Sequence, residues 1–142
     1  MRLSIIMLSV AMLAPVGYAA AQSTPETEQV IQRERDIWQY VKEKNITAFR
    51  AALDSSYTGL SHYGAFGMSL EAARYEWTSL DRYQLTDFVA RRLDTNTILL
   101  TYKAQLKGKS LGLDVEGSYW MATVWMIRSG GMKAVFHAHV AE

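Results

Sequence analysis

The sequence predicts an α+β domain, and three features carry the prediction. Apolar residues recur with helical spacing between Pro25 and Val41, as in an amphipathic helix. From Tyr83 onward the spacing changes to an alternation of period two, which is typical of half-buried strands. The stretch from Gly117 to Glu142 has the composition of one long antiparallel hairpin. Helices followed by consecutive antiparallel strands indicate a sheet that the helices cover on one face.

Residues 1–21 have the pattern of a secretory signal peptide. Arg2 supplies the charged start, an apolar core follows, and Ala19-Ala20-Ala21 fits the small-residue cleavage rule. The apolar run is shorter than the roughly 20 residues that a membrane span needs. We therefore predict a single mature domain, residues 22–142, that is periplasmic or secreted and has no membrane span.

The composition excludes several classes of function. The chain has 15 basic and 14 acidic side chains, a formal net charge of +1, and no cysteine. The basic residues form no cluster, so the positive field that nucleic-acid binding requires is lacking. Without cysteine there is neither a disulfide nor a thiol nucleophile. No P-loop, dinucleotide fingerprint, nucleophile elbow or His-Glu-x-x-His motif is present, so we expect no cofactor and no nucleic-acid partner.

The first predicted helix is the best defined. Ser23 or Thr24 caps it and Pro25 lies in its first turn. At 100° per residue its apolar side chains share one face: Val30, Ile31, Ile37, Trp38 and Val41. The shorter elements that follow are a helix from Ala48 to Leu53, a strand from Tyr57 to Leu60, a glycine-bearing loop over 62–67, and a helix capped by Ser69 from Leu70 to about Leu80.

The second half is predicted to be all strand. A strand from about Tyr83 to Leu93 precedes one with clear alternation around Tyr102, and the final hairpin turns at Ser129-Gly130-Gly131. The strand from Ser118 to Ile127 is apolar on both faces, whereas a sheet that faces water on one side alternates more cleanly. We therefore expect one face to meet the helices and the other to meet a second subunit, which predicts a homodimer.

Glu34 is the first candidate catalytic residue, because it lies in the middle of the apolar stripe of the first helix. A carboxylate on a buried face must be paired, hydrogen-bonded or neutral. Two interpretations follow. Glu34 is either a functional group with a raised pKa in a pocket or a structural tie between the helix and the sheet.

His137 and His139 are the other candidate catalytic residues, since a spacing of two on a strand directs both imidazoles to one face. They could act as general acids or bases, form the polar end of an apolar pocket, or lie hydrogen-bonded or solvated near the strand end. A catalytic zinc usually takes three protein ligands, and the remaining histidine, His62, lies in a predicted loop. We therefore expect no metal site.

Four aromatic side chains are candidate walls of a pocket: Trp38, Tyr57, Tyr102 and Trp125. Tyr102 lies on the apolar face of its strand and combines a large apolar surface with a hydroxyl group. Packing in the core explains the same four residues without a ligand.

Three segments resemble the nuclear-transport-factor-2-like superfamily: Glu34-Arg35-Asp36-Ile37-Trp38, the stretch from Thr123 to Gly131, and Lys133-Ala134-Val135-Phe136-His137. Within it they are most similar to exported bacterial members of the domain-of-unknown-function and polyketide-cyclase-like (SnoaL-like) groups. The resemblance spans about Gln29 to Val140 and departs at Met132, where such proteins usually have Trp. It implies a cone-shaped domain with a curved antiparallel sheet, about three helices that close a pocket, and a frequent homodimer. It implies no particular activity, because the superfamily includes enzymes, transport adaptors and assembly modules.

Three functional hypotheses follow. The first is an exported domain that binds a small apolar or mixed-polarity ligand. The second is a cofactor-free lyase or isomerase in which Glu34 or a histidine is the base and Tyr102 stabilises an oxyanion. The third is a non-catalytic dimeric assembly module. An enclosed pocket lined by Glu34, Tyr102 and His137 favours the first two, and a filled cone with an apolar outer patch favours the third.

Overall fold

The computed structural model describes residues Thr24 to Glu142. The predicted signal peptide therefore lies outside the described residues. The described chain contains three helices and six strands. They are α1 (Pro25–Glu43), α2 (Ile46–Ala52), β1 (Leu53–Ser61), β2 (Gly64–Gly67), α3 (Met68–Glu76), β3 (Thr78–Arg92), β4 (Thr97–Ser110), β5 (Leu113–Arg128) and β6 (Gly131–Ala141).

Helix α1 forms where the sequence predicts it. Thr24 is its N-cap and exchanges hydrogen bonds with Thr27 in a capping box, and Pro25 occupies the first turn. Lys44 ends the helix in the left-handed conformation. The buried residues follow the predicted stripe and include Glu34: Thr27, Val30, Glu34, Ile37, Trp38 and Val41.

The six strands form one curved sheet in the order β2-β1-β6-β5-β4-β3. This arrangement confirms the α+β class with helices on one face of the sheet. The sheet is mostly antiparallel, as predicted, and the one exception among the described strands is the parallel pairing of β1 with β6. The long connection from β1 to β6 through α3 and four other strands makes this parallel pairing geometrically possible.

Several element boundaries differ from the prediction. The loop predicted over 62–67 contains strand β2, which pairs with β1 as a short edge hairpin. Helix α3 begins at Met68 after Gly67, so Ser69 is not its cap. It ends at Glu76 rather than near Leu80, because the chain from Thr78 onward pairs with β4.

The pairing register decides which side chains face the helices. His137 lies opposite Thr123, and His139 lies opposite Met121, on the inner face. The more apolar set, Phe136, Ala138 and Val140, faces outward. An irregularity in β6 between Ala134 and Phe136 shifts the register by one residue, so that Ala134 points inward opposite Trp125.

The core lies between the inner face of the sheet and the three helices. Its largest fully buried side chains come from α1, α2 and the two central long strands: Val30, Val41, Phe49, Ile98, Leu100, Tyr102 and Trp125. Among the described residues, no helix has the length and apolar character required to cross a membrane.

Candidate functional site

The Glu34 carboxylate is the centre of the interior polar network. Its side chain is 1% exposed. One oxygen, Oε1, accepts hydrogen bonds from Tyr102 Oη at 2.7 Å and from Thr123 Oγ1 at 3.1 Å. The other oxygen, Oε2, accepts from Trp125 Nε1 at 2.9 Å. Helix α1 is therefore tied to β4 and β5 through one side chain.

A fourth side chain completes this part of the network. Trp38, one turn after Glu34 on α1, donates from Nε1 to Tyr102 Oη at 2.8 Å. The Tyr102 hydroxyl thus accepts a hydrogen bond from Trp38 and donates one to Glu34, and these two bonds fix its orientation. Burial in this apolar setting raises the pKa of Glu34, while the hydrogen bonds from Tyr102, Trp125 and Thr123 act in the opposite direction.

Thr123 connects this carboxylate to His137. The distance from Thr123 Oγ1 to His137 Nδ1 is 2.9 Å. A hydroxyl has a single proton, so while Thr123 donates to an ionised Glu34 the Nδ1 of His137 must donate to Thr123. His137 Nε2 is then an acceptor, and it has no hydrogen-bond partner among the described residues. If Glu34 binds a proton and donates to Thr123, the tautomer of His137 reverses.

Both inner-face histidines are held in their neutral form. Burial, together with smaller contributions from the nearby His139 and Arg74, lowers the pKa of His137 to about 3. Burial also lowers the pKa of His139, with contributions from Arg74 and His62. The centroids of the two inner imidazoles are 6.2 Å apart. A neutral imidazole serves as a hydrogen-bond acceptor or a base rather than as a cation.

A second buried carboxylate, Glu71 of α3, lies on the other side of the interior. It accepts from Tyr57 Oη at 3.2 Å and pairs with Arg74 at 3.1 Å. Burial raises its pKa, whereas Arg74, Tyr57 and Tyr75 act to lower it. Unlike Glu34, this carboxylate has a cationic partner, and its charge is therefore compensated locally.

The two carboxylates line one small cavity between the helices and the inner face of the sheet. Its volume is about 20 Å³, which is enough for about one water molecule. Pockets for small organic ligands are typically about 300–1,000 Å³. The lining residues include Glu34, Trp38, Tyr57, Glu71, Thr123 and His137. The described interior is thus a nearly filled cone.

The candidate residues from the sequence fall into three groups. Glu34 and His137 lie in one hydrogen-bonded cluster, joined through Thr123. Trp38 and Tyr57 line the cavity with them, whereas Tyr102 and Trp125 lie behind Glu34 in the core. His139 faces inward but does not line the cavity.

Sequence reasoning missed two members of the network, Thr123 and Glu71. Thr123 occurs in an apolar strand where a β-branched residue needs no special explanation. Glu71 lies in the first turn of a helix, where an acidic residue is common because it interacts favourably with the helix dipole. For the described part of the chain, no group of three or more His, Cys, Asp or Glu side chains could hold a metal ion.

No protein-family model and no curated protein matches the sequence. The fold, however, is similar to those of solved structures. An NTF2-like protein from Cytophaga hutchinsonii has a TM-score of 0.78 at 13% identity, over 84% of this chain and 100% of that one. An NTF2-like protein of unknown function in nutrient uptake from Rhodospirillum rubrum has a TM-score of 0.75 at 16% identity, over 80% of this chain and 98% of that one.

A third similar structure is a putative calcium/calmodulin-dependent kinase II association domain from Exiguobacterium sibiricum. Its TM-score is 0.73 at 14% identity, over 85% of this chain and 96% of that one. At these identities the similarity shows the fold. The chain has the nuclear-transport-factor-2-like fold that its sequence resemblance implied.

The network predicts a measurable coupling between Glu34 and Tyr102. We expect Glu34→Gln to lower the free energy of unfolding by about 1–3 kcal/mol, because an amide cannot accept from all three donors and one buried donor is left unsatisfied. Tyr102→Phe removes one of those donors, so the double variant should show a coupling energy of about 0.5–3 kcal/mol. Denaturant unfolding at neutral pH measures both quantities.

The control for this experiment is Glu43→Gln, an exposed glutamate on the same helix. It should change stability by less than about 0.5 kcal/mol. Additive effects of Glu34→Gln and Tyr102→Phe would contradict the network described here.

The lowered pKa of His137 predicts a loss of stability in acid. The unfolded chain binds a proton at this site below about pH 6.5, whereas the folded protein does not do so until about pH 3. The contribution of His137 to the free energy of unfolding is therefore fully present above pH 6.5. It falls by up to about 1.4 kcal/mol for each pH unit below that value. His137→Asn retains an N–H donor for Thr123 but does not titrate. When the pH is lowered from 7 to 4.5, the free energy of unfolding of His137→Asn should therefore fall by about 2 kcal/mol less than that of the wild type.

Urea unfolding at the two pH values tests this expectation, with the exposed His62→Asn as the control. If the wild type and His137→Asn lose equal stability between the two pH values, the protonation of His137 does not contribute to the acid sensitivity of the protein.

Proposed function

We propose that this nuclear-transport-factor-2-like domain is a self-association module that forms a homodimer through the outer face of its sheet. One observation carries the proposal. From Trp120 to Met126 on β5 and from Phe136 to Val140 on β6 the outer side chains are apolar, and the helices of the described chain lie on the other face of the sheet. The alternation that buries Thr123 and Trp125 on one side of β5 exposes an apolar row on the other.

The apolar residues of this face are neighbours across the strands. Trp120 lies beside Val140, and they are 46% and 68% exposed. Ala122 lies beside Ala138, and β1 extends the row with Leu60. Further apolar residues of the outer face are Val89, Leu99, Val124, Met126 and Phe136, and Thr58 and Thr101 lie among them. Monomeric soluble proteins rarely expose contiguous apolar patches of more than a few hundred Å².

Polar groups surround this apolar face. Lys103 pairs with Glu142 and extends over the Trp120 ring, with its nitrogen 5.4 Å from the centroid. Arg128 pairs with Asp54 near the other end of the strands. An apolar centre with a charged rim is the usual composition of a protein interface.

The similarity to a putative kinase association domain supports the same proposal. That protein is described as an association domain, and its fold is similar to that of this chain. An assembly module needs no large interior site, which agrees with the small cavity here. Among the described residues, no fully buried side-chain nitrogen or oxygen lacks a hydrogen-bond partner. Glu34 therefore serves in this proposal as a tie between helix and sheet.

Small-molecule binding is a second candidate function. It is favoured by the arrangement in which Glu34 and His137 line the same cavity and are linked by hydrogen bonds through Thr123. A neutral His137 with an unpartnered Nε2 could act as a base in a cofactor-free lyase or isomerase. This function requires the cavity to expand well beyond its volume of about 20 Å³.

We also propose that the domain functions after export, in the periplasm or as a secreted protein. The support is the charged start, the short apolar core and the Ala19-Ala20-Ala21 site of the sequence.

Self-association predicts that the wild-type protein is a dimer at micromolar concentration and that Trp120→Lys is a monomer or aggregates. A buried, unpaired ammonium group in the centre of the face opposes association. Light scattering coupled to size-exclusion chromatography gives the mass. Leu111→Lys is the matched control, because Leu111 is an exposed leucine in the β4–β5 turn, away from this face. A monomeric wild type would overturn the proposal.

The binding hypothesis predicts that a small molecule accompanies the protein through purification. Native mass spectrometry of the wild type should then show a mass above that of the chain alone, and Glu34→Gln should reduce its occupancy. A wild-type mass equal to that of the chain alone, together with unfolding of Glu34→Gln at a lower denaturant concentration, would leave Glu34 with its structural role only.

A further inference from the structure

A polar groove on the outer surface of the sheet is large enough for a small ligand. Its volume is about 430 Å³, within the range of about 300–1,000 Å³ typical of small-molecule sites. Strands β3, β4 and β5 form it near the ends that lie farthest from the β5–β6 turn. The polar side chains that line it are Arg82, Gln84, Gln105, Glu116 and Ser118.

The pairing register places these side chains in two adjacent rows. Gln84 lies opposite Gln105, and Gln105 lies opposite Ser118. In the neighbouring row Arg82 lies opposite Lys107, which lies opposite Glu116. Residues that alternate in this way on adjacent strands share one face of a sheet. This face is the outer one, because the intervening Tyr83 stacks near Trp38 of α1 on the inner side.

The groove presents hydrogen-bonding groups that the protein itself does not use. Within the described chain, the side chains of Gln84, Gln105, Ser118 and Arg82 have no hydrogen-bond or ion-pair partner. Lys107 and Glu116 are only loosely paired, at 3.8 Å. Two amides and a hydroxyl both donate and accept, the guanidinium only donates and the carboxylate only accepts.

We propose that this groove binds a neutral polyhydroxylated ligand, that is, a sugar or a related polyol. Hydroxyl groups donate and accept at closely spaced points, which matches the row of Gln84, Gln105 and Ser118. Charges of both signs lie along the groove, Arg82 and Lys107 beside Glu116, so that a neutral ligand can donate to the carboxylate and accept from the cations. An apolar ligand leaves both amides desolvated and unsatisfied.

A second copy of the chain is the competing occupant, since the groove adjoins the apolar face at Trp120. The composition argues against it. Interface centres are depleted in charged residues, whereas this groove has Arg82, Lys107 and Glu116 together. The groove therefore lies beside the proposed dimer face and stays open in the dimer.

The test is a titration of the purified protein, labelled with nitrogen-15, with trehalose, maltose and cellobiose. We expect at least one of these sugars to cause saturable shifts in the amide signals of Gln84, Gln105 and Ser118, with a Kd of about 1–10 mM. Gln105→Ala should weaken that binding about tenfold, the effect of one lost hydrogen bond. Gln29→Ala, which removes an exposed glutamine of α1, is the matched control and should bind as the wild type does.

Three results would overturn the proposal. The first is the lack of a saturable shift with all three sugars at about 50 mM, which corresponds to binding too weak to be specific. The second is equal binding by Gln105→Ala and the wild type. The third is a shift of the same signals with protein concentration in the absence of sugar, which would assign the groove to contact between two copies of the chain.

Discussion

The described structure depends on the burial of a carboxylate without a cation. Helix α1 can pack on the sheet only through its apolar stripe, and Glu34 is part of that stripe. Moving a carboxylate out of water is costly unless hydrogen bonds replace its hydration. Tyr102, Thr123 and Trp125 supply these bonds from two adjacent strands. Each donor has a fixed direction, so the helix can satisfy Glu34 in only one position along the sheet and one rotation about its axis.

The two faces of strand β5 lie in different environments. Its inner side contributes Thr123 and Trp125 to a dry, fully hydrogen-bonded network, while its outer side presents Trp120 and Val124 away from the helices. Because side chains alternate with a period of two, a shift of one residue in register would exchange the two sets. The donors to Glu34 would then point outward, and the helix would have no partner for its carboxylate. The polar network thus fixes the register of the strand that carries the apolar face.

The features with local causes could be predicted from the sequence. The stripe and cap of α1, the buried position of Glu34 and the final hairpin depend on residues that are close together in the chain. The sequence alone did not decide which face of the sheet His137 occupies, because the residues of the opposite face, Phe136, Ala138 and Val140, are more apolar and could have formed the core. These three residues face outward because they form part of a second apolar surface. The role of Thr123 and the parallel pairing of β1 with β6 depend on contacts between distant segments, for which no local pattern exists.

The position of the last strand has a consequence for how the chain folds. Strand β6 is the last of the six described strands along the chain, yet it lies in the interior of the sheet between β1 and β5. Until it is in place, the β1–β2 hairpin and the β3–β5 ribbon are separate pieces with no common edge. Synthesis from the N-terminus delivers β6 after the other five described strands, so neither piece can complete the core before β6 is made. Pairings between segments so distant in sequence also form slowly. A change that prevents β6 from pairing should therefore divide the sheet in two, whereas the same change in an edge strand such as β2 would only narrow it.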